Sequence, residues 1–194
     1  MADHRAMTRE GSTLTQGRQP GAGSIVVGVD GSSAAFDALT WAYHQAVRTG
    51  DPLHLVTTYE TEAPHTPYSA SYAYAPDGGT AARLNEAEAR WREESHHIAQ
   101  ERAERMLHDV LTAVRSAQKG ESEAAEEGEP EVTEEVVAGV RPAQLLIERS
   151  QDAGLLVVGS RGLGGFRGLL LGSVSQQCVH HAACPVVVVR SEGQ

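Results

Sequence analysis

The chain is short of several things that would have directed its function elsewhere. It has a single lysine (Lys119), only two cysteines, and no apolar run approaching the length of a membrane span. Two cysteines, Cys178 and Cys184, make no disulfide framework, so the chain reads as a reduced, cytoplasmic protein. A membrane-spanning helix needs about 20 consecutive apolar residues, and no such stretch is present. Positive charge is scarce as well. Sixteen Lys and Arg face 26 Asp and Glu, a formal net charge of -10. A nucleic-acid binder needs a basic face that releases counterions, so neither nucleic acid nor membrane is expected as a partner. The opening residues, "MADHRAMTREGSTLTQGRQPGAGS", have no apolar core and so do not read as a secretory signal. Residues 1–23 read as a disordered tail. Hydrophobic residues make up 40% of the chain, slightly below a typical globular protein, as a folded domain with polar appendages requires.

What is present alternates between two periods. "SIVVGVD" (Ser24 to Asp30) is a nearly continuous β-branched run, the pattern of a strand buried on both faces. Ser32 or Ser33 then offers a helix N-cap, Ala35, Leu39, Ala42 and Ala46 recur at helical spacing, and Gly50 stands at a C-cap position. Pro52 to Glu60 reads as a second strand, which completes one βαβ unit. Residues 61–80 are rich in Pro, Gly, Ser and Tyr and have no period, so they read as a long loop. Residues 81–118 read as one long amphipathic helix whose first half projects, kinks or packs on a partner. An acidic linker follows at 120–130. Then come a strand at Glu131–Gly139, a short helix led by Pro142, a strand at Leu155–Gly159, a helix at Ser173–Ala182 and a last strand at Cys184–Arg190. Such alternation implies an α/β fold with a parallel sheet.

The stretch "VVGSRGLGGFRGLLLGSVSQQ" stands between the fourth strand and the last helix and holds six glycines: Gly159, Gly162, Gly164, Gly165, Gly168 and Gly172. In an open parallel sheet, ligands bind beyond the carboxyl ends of the strands where strand order reverses. Asp30, after the first strand, and this glycine loop both stand at strand carboxyl ends. A glycine loop entering a helix presents backbone N–H groups and the positive end of a helix dipole, which together suit phosphate. Ser173 is placed to cap that helix and donate its hydroxyl. Arg161 and Arg167 add local positive charge. A Walker loop, G-x-x-x-x-G-K-(S/T), is excluded because the one lysine is far from the loop. The dinucleotide fingerprint is excluded because the first strand is followed by "DGSS".

A third template fits. Gly159, two residues, Gly162, nine residues, then Gly172-Ser173 resembles the ATP-binding pattern of the universal stress protein family, G-x2-G-x9-G-(S/T). "VVGVDGS", "RPAQLLIERSQDAGLLVVGSRGLGG" and "GSVSQQCVHHAACPVVVVR" resemble that family's opening, middle and closing segments, in order. The resemblance places a universal stress protein domain at 24–192. It implies a flavodoxin-like, doubly wound five-stranded parallel sheet in the order 3-2-1-4-5, with helices on both faces. It implies ATP, with or without Mg²⁺, between strands one and four. Asp30 would contact the ribose or, indirectly, a phosphate-bound Mg²⁺. Thr58 would meet adenine through its backbone, and Val158 and Gly159 would line the base and ribose. Gly162, Gly172, Ser173, Val174 and Ser175 would hold the phosphates, with charge added by Arg161. The resemblance also implies a homodimer through the last strand, Pro185–Arg190. One departure is Gly154, where the family usually has an acidic residue before the fourth strand.

The function expected is thus a nucleotide-dependent regulatory or stress-response protein with no catalytic residues. Two alternatives stand beside it. One is slow ATP hydrolysis or phosphotransfer, for which no lysine and no carboxylate after the loop is offered. The other is a docking module, in which 61–118 meets a protein partner and ATP is structural. Cys178, His180, His181 and Cys184 suggest a metal site, but they straddle a helix and the next strand and read as structural. Tyr68, Tyr72 and Tyr74 read as loop contacts rather than a stacking platform.

Overall fold

The structure is a computed structural model and describes residues 13–14, 23–60, 79–121, 128–164 and 170–191. The order of elements is β1 (Ile25–Gly28), α1 (Ser33–Thr49), β2 (Leu53–Tyr59), α2 (Gly79–Glu121), β3 (Val132–Ala138), α3 (Pro142–Arg149), β4 (Leu155–Gly159), α4 (Ser173–His181) and β5 (Val186–Val189). These five strands pair in parallel in the order β3-β2-β1-β4-β5, the expected 3-2-1-4-5. A two-residue segment, Thr13–Leu14, adds a further strand outside β3, with Thr13 opposite Thr133 and Leu14 opposite Glu134. That pairing lies inside the stretch expected as a disordered tail. Residues 1–12 and 15–22 are outside the described residues, as are most of the expected loop (61–78) and linker (122–127).

Strand alternation sorts the core into two layers, because successive side chains point to opposite faces. Ile25, Val27, Leu53, Leu55 and Val157 face α1 and α2, where Leu39, Leu107, Leu111 and Val114 cover them. Val26, Val56, Leu156 and Val158 face the other way, onto Leu145, Leu146 and Cys178. α1 lays an alanine-rich face on the sheet (Ala35, Ala38, Ala42 and Ala46 are all buried), so its backbone comes close to the strands. The closest approach is at Gly159, where a Cβ would stand 2.7 Å from the carbonyl carbon of Ala34. Ser32 caps α1 by accepting from Ala35 N, and Gly50 ends it at φ +75° with its N–H on Ala46 O. Gly154, the family departure, packs against the backbone of Gly23 and donates its N–H to Ser24 O.

α2 is longer than expected by two residues at its start and three at its end. Its 43 residues span about 65 Å. Ala103, Leu107, Leu111 and Val114 are buried on the sheet, but the described side chains before Ser95 are mostly exposed. Tyr59, the last residue of β2, meets the His96 ring edge-on at a centroid distance of 5.4 Å. Ahead of His96 the helix runs about 25 Å past the carboxyl edge of the sheet. Trp91 is exposed on this section, and Ile98 just after it.

Between the sheet and α3 lies a buried ionic cluster. Glu135 accepts from Arg149 through both guanidinium edges, Nε to Oε2 at 2.9 Å and Nη2 to Oε1 at 2.6 Å. His54 Nε2 lies 2.8 Å from Glu135 Oε2. All three residues are buried. Burial alone would raise the Glu135 carboxyl, but the hydrogen bonds and charges of Arg149 and His54 outweigh it and hold the group at about 2. The cluster ties β2, β3 and α3 together. Its neighbour Glu134 points the other way, toward α2. Burial raises that carboxyl, opposed by His108 and Arg115.

Two outcomes follow for stability. Arg149→Ala leaves a buried carboxylate short of its main partner and should cost about 3–5 kcal/mol in urea unfolding; a loss below about 1 kcal/mol would show the cluster to be incidental. Because Glu135 sits at about 2 against an ordinary 4.5, its stabilisation is complete above that ordinary value and is lost as pH falls toward 2. Glu135→Gln should therefore flatten the acid limb of the stability curve. Separately, Gly159→Ala should lower stability by about 1–3 kcal/mol by forcing α1 away from β4, read as a drop in Tm.

Candidate functional site

β1 and β4 are neighbours in the sheet, yet the helices that follow them leave on opposite faces: α1 with the first layer, α4 with the second. The crevice between their carboxyl ends is a cavity of about 420 Å³, within the usual range for small-molecule sites. All ten residues expected from the sequence line it: Asp30, Thr58, Val158, Gly159, Arg161, Gly162, Gly172, Ser173, Val174 and Ser175. Residues 165–169, which include Gly165, Arg167 and Gly168, lie outside the described residues, whereas Gly164 lines the cavity.

The first wall is the β1–α1 turn. Asp30 Oδ1 accepts from Ser32 N at 2.9 Å and from Ser32 Oγ at 2.6 Å. Its other oxygen, Oδ2, accepts from the backbone N–H of Leu163 at 3.2 Å. One carboxylate thus fastens the turn after β1 to the loop after β4. Gly162 lies directly against it, and a Cβ at that position would collide with Asp30 Oδ2. Gly31 completes the turn at φ +80°, a conformation that disfavours side chains, next to Met106 of α2.

The second wall is the end of the glycine loop. Gly172 N donates to Ser160 O at 2.7 Å, which closes the loop on itself. The Ser175 hydroxyl is buried and shared between Ser160 O at 2.9 Å and Gly172 O at 3.0 Å. That hydroxyl is engaged as a clamp within the protein, which leaves the Ser175 backbone N–H as its group for a ligand. Ser160 N in turn donates to Val189 O at 2.6 Å, which anchors the loop to β5. α4 starts at Ser173 behind Gly172, whose backbone is extended, so the N–H groups of Ser173, Val174 and Ser175 have no carbonyl one turn back in the helix. The exposed Ser173 hydroxyl stands at the same end.

The rest of the lining is largely apolar. Val29, Val56, Val158, Pro142 and Leu146 supply it. Pro142 and Leu146 of α3, and Ala35 of α1, were not singled out from the sequence. The available signal for α3 was strand order together with a right-handed crossover, which puts it on the sheet face that carries Val56 and Val158. Among the described lining residues, Arg161 is the one cation and Asp30 the one carboxylate. The Cys178 thiol is buried away from this edge and pushed up to about 11 by desolvation. Among the described residues no group of three or more His, Cys, Asp or Glu is placed to hold a metal ion, and no helix is long and apolar enough to cross a membrane.

Comparison with known proteins places this architecture. The model of the universal stress protein family matches residues 22–190. Universal stress protein Rv2623 of Mycobacterium tuberculosis is 33% identical over 168 residues, which cover 87% of this chain and 48% of that protein. Rv2624c of the same organism is 30% identical over 175 residues, 90% of this chain and 50% of that protein. The chain therefore spans about half the length of these curated relatives. Among solved structures, universal stress protein UspA from Lactobacillus plantarum superimposes with a TM-score of 0.56 at 22% identity, over 88% of this chain and 99% of that one. A universal stress protein in complex with cAMP superimposes with a TM-score of 0.50 at 23% identity, over 88% and 98%. A family model that matches from Ala22 to Arg190, on a sheet of this order, shows that the chain belongs to the universal stress protein family.

Proposed function

We propose that the chain binds ATP, with or without Mg²⁺, in the crevice between β1 and β4, and that it acts as a nucleotide-responsive regulator rather than an ATP-consuming enzyme. The observation that carries this reading is that one cavity combines apolar side chains with a glycine loop and a helix N-terminus rich in N–H groups. Val56, Val158, Pro142 and Leu146 suit a flat heterocycle. Gly162, Gly172 and the first turn of α4 suit a chain of phosphates, with Arg161 adding charge. Asp30, which joins the turn after β1 to the loop after β4, is the polar side chain offered to the ribose. It is one carboxylate already accepting three N–H or O–H groups, which fits a water-mediated contact to a phosphate-held Mg²⁺ better than direct ligation. The structurally similar protein in complex with cAMP supports a nucleotide as the ligand class.

The regulatory reading is supported by what the cavity offers for catalysis. Arg161 is the only described cation lining it, and no described carboxylate besides Asp30 is there to orient a water. A homodimer through Pro185–Arg190 is part of the proposal. β5 is an edge strand whose four valines are each only half-buried, a surface that a second strand would cover. A protein partner at 61–118 is favoured by the projecting section of α2, where Trp91 is exposed, and by the exposed Ile98 next to it.

Equilibrium titration with ATP tests the site. The unaltered protein should saturate at or below millimolar ATP. Gly172→Glu, which puts a carboxylate where phosphate is proposed, should weaken binding by about a hundredfold or more. Gly162→Ala, which displaces Asp30, should weaken it by about tenfold while the fold persists. Absence of binding by the unaltered protein, or undiminished binding by Gly172→Glu, would overturn the proposal.

A further inference from the structure

Gly28 interrupts an otherwise β-branched surface. On the sheet face that α3 covers, Gly28 of β1 stands level with Val56 of β2. Val27 is opposite Val157, so the next step brings Gly28 level with Val158 of β4. The row across three neighbouring strands is valine, glycine, valine, and all three residues line the cavity. Gly28 is not at a positive φ, so the position does not call on glycine's conformational freedom. What it supplies is the missing methyl. Leu146 of α3 fills the gap: a Cβ on Gly28 would lie 2.8 Å from Leu146 Cδ1 and 3.4 Å from Cδ2. α3 begins with Pro142 at the carboxyl edge of the sheet, and Leu146 lies about 6 Å further along the helix. Both line the cavity, Pro142 toward its mouth and Leu146 toward its inner end.

We propose that Gly28 and Leu146 together set the depth of the apolar part of the cavity, and so the size of base it admits. The inference rests on the reading that a nucleotide binds there. With Leu146 seated in the Gly28 gap, the cavity is deep enough for a two-ring purine. A methyl at position 28 would expel Leu146 from the gap. Leu146 is 3% exposed and shares a buried cluster with Val26, Leu145, Leu156 and Cys178, so close packing leaves it little room on that side. The cavity is the open space beside it. Leu146 would swing there and shorten the apolar end, at the expense of a two-ring base more than of a one-ring base. Gly28 is a positioning residue in this arrangement, since it acts on the ligand through Leu146.

Calorimetric titration with ATP and with CTP tests this. Gly28→Ala should weaken ATP by about tenfold and CTP by less than about twofold. Leu146→Phe, which adds volume from the helix side, should reproduce that ATP-selective loss. Gly28→Ala combined with Leu146→Ala, which removes the displaced side chain, should recover ATP affinity to within about threefold of the unaltered protein. A merely structural defect would weaken both nucleotides alike, and a second truncation in the core would not repair it. Equal losses for ATP and CTP, unchanged ATP affinity in Gly28→Ala, or no recovery in the double variant would overturn the inference while leaving the nucleotide site in place. Absence of ATP binding by the unaltered protein would overturn the site itself, and the inference with it.

Discussion

The carboxyl edge of this protein is organised by one adjacency. β1 and β4 pair side by side while their helices depart to opposite faces, so the sheet cannot close over the gap between them. Asp30 bridges that gap. Its carboxylate holds Ser32 on one side and, on the other, the N–H of Leu163, 133 residues along the chain from Asp30. The bridge needs Gly162 to have no side chain, and the packing of α1 beneath it needs Gly159 to have none. The cavity is therefore defined by backbone approach rather than by long side chains, which suits a ligand recognised through N–H groups.

Much of this was legible in the chain itself. The β-branched runs specify all five strands to within a residue or two, because a parallel sheet buries both faces and leaves an unbroken apolar signature at Ile25–Gly28 and Val186–Val189. Ser32, Gly50 and Pro142 stand where capping and first-turn chemistry put them. The spacing of Gly159, Gly162, Gly172 and Ser173 identified the cavity's rim. Two of those glycines also shape the protein itself: a side chain at Gly159 or Gly162 would strike the protein's own atoms, Ala34 and Asp30 respectively. Having none there lets the walls of the cavity come together.

What could not be read concerns partners far apart in sequence. Consecutive glutamates on a strand suggest one exposed face, whereas both Glu134 and Glu135 are buried. The reason for Glu135 is visible only in three dimensions, since His54 is 81 residues away and the helix that brings Arg149 must first dock. The Ser175 hydroxyl gave no sign that it would turn back to the Ser160 carbonyl. The length of α2 pointed to a first half that projects, kinks or packs on a partner, but helical periodicity does not say where it leaves the sheet, because the pattern of a helix is the same whether or not a layer lies beneath it. The pairing of Thr13–Leu14 was hidden for a similar reason: two residues carry no period.

The central claim is that nucleotide binds at the junction made by Asp30, Leu163 and the start of α4. Amide chemical-shift mapping by NMR during addition of ATP reads that junction directly, since the groups proposed to touch the phosphates are backbone N–H groups. The account predicts that the largest shifts cluster at Gly162, Leu163 and Gly172–Ser175, with smaller ones at Val56–Thr58, and that the amides of α2 and of the β3 edge stay still. Shifts concentrated on α2, or none at the Leu163 and Ser173 amides at saturating ATP, would contradict it.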